Sequence, residues 1–365
     1  MRILILLFLF STCMLHAQDK REIDFPDIPG YQTIISDLHM HTVFSDGSVW
    51  PDIRVYEAVR DGLDLIATTE HLEYQPHSED IPHSNRNRSF MIASRIALRD
   101  SLMVINGSEI TRSMPPGHSN AIFIQDANAL LNDDVKEVFR EANRQGAFTF
   151  WNHPMWSSQY KDGIARLSDL HKELISENLL HGIEVVNEHM FSDEALQIAL
   201  DNNLTILGTS DIHGLIDWEF EVPEGGHRPV TLIFSKDKTS DAIRNALFAG
   251  RTAVWFKDLL IGKEENLLPL IRASIQVTSV EYQNEIAVVE IENRSSAPFM
   301  LENLSEFNLH TSSEIIGIEA HSSTLVEVKT GGIVNEFELR FRVLNAITAP
   351  RQHPEIGLEM QYYER

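Results

Sequence analysis

A chain of 365 residues, 43% hydrophobic and 23% charged, has room for one large domain and a smaller one, and its composition is that of an ordinary globular protein. It carries 54 acidic residues against 30 basic ones, a net charge of −24, and such a surface repels polyphosphate backbones. Nucleic acid is therefore excluded as a partner, whereas a small anion is not, because bound cations can invert the local field.

At the N-terminus, Arg2 is followed by the eight apolar residues Ile3 to Phe10 and a short segment ending in Ala17-Gln18. A positive start, a short apolar run and a small residue at the cut read as a secretory signal peptide over residues 1–17. The run is too short to span a bilayer, so the expectation is an exported protein, periplasmic or extracellular, with no transmembrane segment. The only cysteine, Cys13, lies inside the signal, which leaves the mature chain without disulfides or thiolate metal ligands. A minority reading makes Cys13 a lipid-modified N-terminus that tethers the protein to a membrane surface. Residues 18–30 form an N-terminal extension.

From about Tyr31 to Val254, short apolar runs alternate with amphipathic stretches. The runs TIISDLH, LDLIATTEH, SLMVINGSEI, HSNAIFI, GAFTFWNH, HGIEVVN, NLTILGTSD and RPVTLIFS read as strands. Pro51 and Gly62 bracket a helix, and TSDAIRNALFAG carries Thr or Ser at its start and Gly250 as its stop. Apolar strands alternating with helices predict a parallel sheet covered by helices, and about seven or eight such units fit a closed β/α barrel better than an open sheet. The last hundred or so residues differ. FELRFRV, SIQVTSV, IAVVEIEN and STLVEVK alternate apolar and polar residues between turn-forming segments, which predicts a small antiparallel β-sandwich. The expected division is a barrel domain over residues 31–268 and a sandwich over 269–365, joined through the partly helical KDLLIGKEENLLPLIRAS.

Chemistry-bearing residues gather where the strands of the first domain end. His39 and His41 follow TIISD, with Asp46 in the next turn; His71 follows LDLIATTE; SLMVINGSEI carries Glu109; His118 opens HSNAIFI; His153 ends GAFTFWN; and NLTILGTS runs into Asp211 and His213. Carboxyl ends of parallel strands are where barrel enzymes collect their reactive groups, and imidazoles with carboxylates suit zinc, manganese or iron. Alternate side chains of a strand share a face, so His39 and His41 can reach one ion together, as can Asp211 and His213. Six histidines and three acids exceed what one ion can use, so the pattern implies a site of two or three ions with an acid such as Glu109 bridging two of them.

Taken in order, the segments DLHMHTVFSDG, TTEH, GSEI, GHSN, WNHP and TSDIH resemble the PHP superfamily, named for polymerase-associated and histidinol-phosphatase domains. The resemblance covers residue 36 to about residue 254 and includes all nine ligand positions of that family. It implies a distorted seven-stranded β/α, TIM-like barrel with a trinuclear centre of zinc, manganese or iron. It assigns His39, His41, Glu109 and Asp211 to a first ion, with Glu109 bridging to a second held by His118 and His153. Asp46, His71 and His213 would hold the third, Asp46 standing where some members have histidine.

The expected activity is hydrolysis of a small phosphorylated substrate by a metal-bound hydroxide, with Glu109, Asp211 and His153 as catalytic residues. Candidate phosphate contacts are Arg112, three residues beyond Glu109, Arg86 and Arg88 in the polar loop HSEDIPHSNRNR, and Arg228 before the last barrel strand. Trp151 and Trp156 flank the His153 motif, where packing and ring stacking are both open. Glu184, Asn187 and Asp37 read as supporting groups. Two further readings remain: hydrolysis of an amide, cyclic or lactone ester, or a non-catalytic binding protein with structural metals.

Overall fold

The structure, a computed structural model, describes residues 21–310 and 313–363, so the expected signal peptide and Cys13 lie outside the described residues. The fold is α/β with a C-terminal all-β part. The first strands form as their apolar runs dictate. β1 (Gln32–Asp37), β2 (Leu65–Thr68) and β3 (Met103–Ile110) are parallel neighbours, with α1 (Pro51–Arg60) and α2 (Arg88–Ala97) in the connections. Pro51 sits at the start of α1, where a missing N–H costs nothing, and Gly62 follows it at φ +76°.

The sheet is not wholly parallel, which corrects the expectation. β4 (Ser119–Ile122) runs antiparallel to β3, and β5 (Phe148–Trp151) antiparallel to β4. The reason is the connection: residues 111–118 hold no helix and are too few for the crossover that a parallel pair needs. After α3 (Val135–Arg144) and α4 (Asp169–Ser176), parallel pairing resumes between β5 and β6 (Gly182–Asn187). A short β7 (Met190–Phe191) turns back on β6, and α5 (Asp193–Asp201) leads to β8 (Thr205–Thr209), parallel to β6. Beyond α6 (Ile216–Glu219), β9 (Val230–Ser235) returns antiparallel to β1. It is followed by α7 (Ser240–Phe248), β10 (Thr252–Phe256) and β11 (Leu259–Gly262).

Eleven strands thus follow one another in hydrogen-bonded order, with β8 paired to β6 beside that path. The sheet curls until β8 lies against β9 and β10, but no backbone ladder joins them. Thr231 Oγ1 of β9 donates to Gly208 O at 2.8 Å and accepts from Gly208 N–H at 3.0 Å, and Thr252 Oγ1 donates to Ile206 O at 2.7 Å. Only glycine fits at 208, since a Cβ there would stand 2.2 Å from Val254 Cγ1. Contact through side chains replaces the ladder that a closed barrel would have.

α8 (Glu264–Ser274) leads into two antiparallel four-stranded sheets. One contains β12 (Ile275–Gln283), β13 (Ile286–Asn293), β15 (Asn308–Leu309) and β17 (Ser323–Lys329). The other contains β14 (Phe299–Asn303), β16 (Ile315–Ile318), β18 (Glu336–Val343) and β20 (Glu355–Gln361). Inward residues alternate along each strand, as Leu339, Phe341 and Val343 do on β18. β19 (Ala346–Ile347) leaves the sandwich to pair with β11 of the large sheet. Buried Asn345 fastens that joint, donating from Nδ2 to Asp258 O at 2.7 Å and Pro298 O at 2.8 Å. Among the described residues, no helix is long and apolar enough to cross a membrane.

Candidate metal centre

One rim of the curled sheet carries the histidines and acids. The parallel strands β1, β2, β5 and β8 end there, delivering His39 and His41, His71, His153, and Asp211 and His213 in the residues that follow. Antiparallel β4 begins at the same rim, which is why His118 precedes its strand while the others follow theirs. Glu109 lies near the end of β3, bridged backbone to backbone with His71. Asp46 comes from the turn after His41, which folds back so closely that a Cβ on Gly47 would meet His41 C at 2.7 Å.

All nine residues converge. Glu109, wholly buried, is central: its Oε1 lies 3.0 Å from His118 Nδ1, 3.3 Å from His153 Nε2 and 3.5 Å from His39 Nε2, and its Oε2 lies 3.7 Å from His41 Nε2 and against His71 Nδ1. Asp211 Oδ1 sits 3.1 Å from His39 Nε2 and 3.0 Å from His41 Nε2. Asp46 faces His71 Nε2 at 3.2 Å and His213 Nε2 at 3.1 Å. Among the described residues, three overlapping groups have donor atoms close enough for a shared cation: His41, Asp46, His71 and His213; His39, His41 and Glu109; and His71, Glu109 and His118. These draw His41 toward Asp46 and His71 toward His118, sharing ligands more than the resemblance implied.

The donors fit divalent cations. Asp46 Oδ1, Glu109 Oε2 and Asp211 Oδ1 are buried, and imidazole nitrogens face them instead of backbone or hydroxyl donors, an arrangement that a shared cation satisfies. The surrounding network points imidazole Nε2 atoms inward. His39 Nδ1–H donates to Glu184 Oε1 at 2.8 Å, His41 Nδ1–H faces Ser45 Oγ at 3.2 Å, and His213 Nδ1–H donates to Asp211 O at 2.8 Å. His71 Nδ1–H faces Thr111 Oγ1 at 2.7 Å. His118 instead turns Nδ1 to Glu109, and His153 differs in its proton. Trp151 Nε1–H donates to Gln159 Oε1 at 2.9 Å, which turns Gln159 Nε2 toward His153 Nδ1, also at 2.9 Å. Neutral His153 therefore carries its proton on Nε2, facing Glu109.

Electrostatics follow from this crowding. Burial opposes charge on His39, yet Asp211, Glu184 and Glu109 raise its pKa to about 10. Burial is likewise outweighed at His71, raised to about 11 by Glu109 and Asp46, and at His213, raised to about 9 by Asp46 and Asp211. His41 goes the other way, to about 4, through burial and the neighbouring His213 and His71. Despite burial, the histidines hold Glu109, Asp46 and Asp211 below the usual carboxylate range. The site is a set of ionised acids whose imidazoles take up protons that a divalent cation can displace.

Support comes from Glu184, Asn187 and Asp37, as expected, and from Glu70, Arg54 and Gln159, which the strand-end reading does not single out. Glu184 accepts four bonds: from His39, from Thr209 Oγ1 at 2.7 Å, from Asn187 Nδ2 at 2.9 Å and from the His153 N–H at 2.7 Å. The last holds His153 at φ +31°, and Asp211, at φ +48°, is held by its N–H to His39 O at 2.9 Å. Glu70 anchors the Asp46 turn by accepting from Thr42 N–H at 3.0 Å and from Ser45 Oγ at 2.5 Å. Buried Arg54 on α1 donates to His41 O at 3.0 Å and Ile212 O at 3.1 Å, tying two ligand-bearing segments together. Its signal in the sequence was an Arg54–Glu57 pair on the apolar face of a helix. Asp37 supports the site, as expected, accepting from Ser210 Oγ at 2.6 Å.

The arginines divide. Arg228 is corrected: it is buried between Asp61 at 2.6 Å and Asp37 at 3.3 Å, with its charge already matched inside the fold. Arg112 pairs with Glu73 at 2.8 Å and donates to Asn132 O at 2.5 Å. Arg86 donates from Nε to Leu72 O at 2.8 Å, and Arg88 opens α2. Trp151 is fully buried against His171, whereas Trp156 is exposed.

Comparison with known proteins adds three findings. A family model described as DUF5001: Ig-like domain matches residues 275–359, within the sandwich, and no curated protein matches the chain. The chain is 41% identical to a two-domain protein from Bacteroides vulgatus containing a predicted PHP-like metal-dependent phosphoesterase, whose crystal structure superposes with a TM-score of 0.87 over 94% of this chain and 100% of that one. An amidohydrolase from Chromobacterium violaceum with bound sulfate is 16% identical over 49% of this chain and 87% of its own, with a TM-score of 0.36, a partial likeness that carries no functional argument. This chain belongs to the family of two-domain proteins that contain a predicted PHP-like metal-dependent phosphoesterase.

Proposed function

We propose that the protein is an exported metal-dependent phosphoesterase acting on a small phosphorylated molecule, with two or three zinc, manganese or iron ions per chain. The observation that supports it is the trio of buried carboxylate oxygens, on Asp46, Glu109 and Asp211, faced by converging imidazole nitrogens within reach of a shared cation. The ligands assigned are His39, His41, Glu109 and Asp211 for one ion, Glu109, His118 and His153 for a second, and Asp46, His71 and His213 for a third. His153 would join through Nε2 with its proton on Nδ1 and the Gln159 amide turned to accept it. When bound, such ions neutralise phosphate charge and make coordinated water acidic.

The chain's own residues do the rest. Glu109 and Asp211 would hold the cations, and Glu184 keeps His39 in one tautomer. Exposure of the His118 and His213 side chains, 16% and 38%, gives a substrate its approach, while His39 and His41 stay sealed below. Around this centre the reading takes the sheet as a distorted seven-stranded β/α barrel whose last seam, β8 to β9, is held by threonine side chains. It assigns residues 31–268 to the hydrolase domain and 269–365 to the sandwich, meeting inside α8, and residues 1–17 to the signal.

The test is hydrolysis of a chromogenic phosphomonoester and phosphodiester by protein loaded with zinc, manganese or iron, beside Asp211→Asn. Turnover that requires metal and Asp211 is expected. Turnover of amide or lactone substrates alone would replace the phosphoester reading, and a fully metallated protein inert toward all of them would favour a structural role.

A further inference from the structure

A single exposed tryptophan needs no function. Trp156 differs from that case in three respects. Its indole lies 5.6 Å from the His118 ring and 5.2 Å from the His153 ring, edge-to-face with both, so neither imidazole is stacked parallel on it. It is 40% exposed beside His118, on the side where the centre meets solvent, whereas Trp151 of the same segment is wholly buried. Its backbone is fixed: Trp156 N–H donates to His153 O at 2.9 Å, and its carbonyl accepts from Gln159 N–H at 2.9 Å and Tyr160 N–H at 3.1 Å. Gln159 then bonds Trp151, Asn152 and His153 through its side chain. The ring is thus held out at the mouth by a pre-ordered turn, with little conformational freedom left to lose on binding.

We propose that Trp156 is a specificity-determining platform on which the organic part of the substrate stacks, and that this part is a planar aromatic or heteroaromatic ring. The inference rests on the phosphoester reading above and narrows it. Two of the four candidate arginines are already engaged: Arg228 is enclosed in the fold, and Arg112 is paired with Glu73. Tyr74, 52% exposed and 5.7 Å from the His71 ring, offers a second aromatic surface beside the centre. A phosphoryl group at the metals would leave its ester substituent within reach of Trp156, where stacking on an indole face adds affinity whatever the ring's substituents.

The test measures binding of phenyl-, cyclohexyl- and methylphosphonate to the manganese-loaded full chain by calorimetry, for wild type, Trp156→Phe and Trp156→Ala. None of these ligands is hydrolysed, so binding is read apart from turnover. For wild type, phenylphosphonate is expected to bind about tenfold tighter than methylphosphonate, with cyclohexylphosphonate nearer the methyl compound. Trp156→Phe should keep most of the preference and Trp156→Ala should abolish it, at unchanged metal content. Equal binding of phenyl and cyclohexyl ligands, or a preference that survives Trp156→Ala, overturns the platform and leaves the phosphoester reading standing. Binding of none of the three overturns both. The wild-type comparison alone decides the matter should a variant fail to fold.

Discussion

His39 and Glu184 form a fully buried pair, Nδ1 to Oε1 at 2.8 Å, and through it a residue far along the chain sets which nitrogen of His39 faces the centre. Four donors converge on the Glu184 carboxylate, from β1, β5, β6 and β8 segments alike. It is the knot that holds those strand ends in register.

Glu184→Gln keeps the size and loses the fit, because its NH2 must face at least one of those donors. Metal affinity should fall about 10- to 100-fold, as for other carboxylate partners of ligating histidines. Zinc titration against a competing chelator reads the change. Unaltered affinity would remove Glu184 from the support of the centre.

Removing the metals should destabilise the fold without dissolving it, since the centre sits at a rim and the hydrophobic clusters lie elsewhere. Ions that bind only the native state at a hundred times their Kd add about 2.7 kcal/mol each, so chelation should lower the thermal midpoint measurably. Differential scanning calorimetry with and without chelator checks this. A midpoint indifferent to chelation would argue that no cation is bound tightly.

Arg228→Met separates structure from substrate contact. It leaves Asp37 buried with no matching cation and Asp61 with Arg21 alone, and breaking a buried pair in this way costs about 3–5 kcal/mol. The urea midpoint should fall steeply, while KM for a phosphoester in the folded protein should stay near wild type. A raised KM with unchanged stability would reverse the assignment.

His171 and His181 give a pH dependence outside the centre. Each is used as a neutral ring: His171 donates to Pro116 O at 2.7 Å and accepts from Ser168 N–H, and His181 donates to Asn178 O at 3.0 Å and accepts from Thr149 N–H. Burial lowers both from the ordinary 6.5 to about 4. Between those values the unfolded chain binds a proton that the native chain refuses, so their contribution is present near neutrality and lost as pH falls from 6.5 toward 4. The slope approaches about 1.4 kcal/mol per pH unit for each histidine. His181→Gln should be less stable at pH 7 but lose less on acidification, by urea midpoints compared at pH 7, 6 and 5. Parallel curves for variant and wild type would contradict it.

Much of the architecture was legible because it is written in local chemistry. The eight apolar runs of the first part are all strands, α1 begins at its proline, and β18 alternates as its sequence does. Direction was not legible. Whether β4 lies parallel or antiparallel to β3 depends on how far residues 111–118 can travel, and one apolar strand reads the same in both senses. The roles of the arginines escaped for a related reason: an arginine's sequence neighbours do not reveal whether carboxylates from other segments will enclose it, as Asp37 and Asp61 enclose Arg228.

By itself, then, the order of residues determined which side chains stand at strand ends and how they are spaced, since backbone periodicity and turn preference act within a few residues. Only the tertiary structure decided that nine of them meet, that Glu109 sits between His118 and His71, and that Glu184 and Gln159 orient the rings. Those facts depend on the curl of a sheet and on lone pairs brought within about 3 Å across more than a hundred residues, distances that no local preference controls.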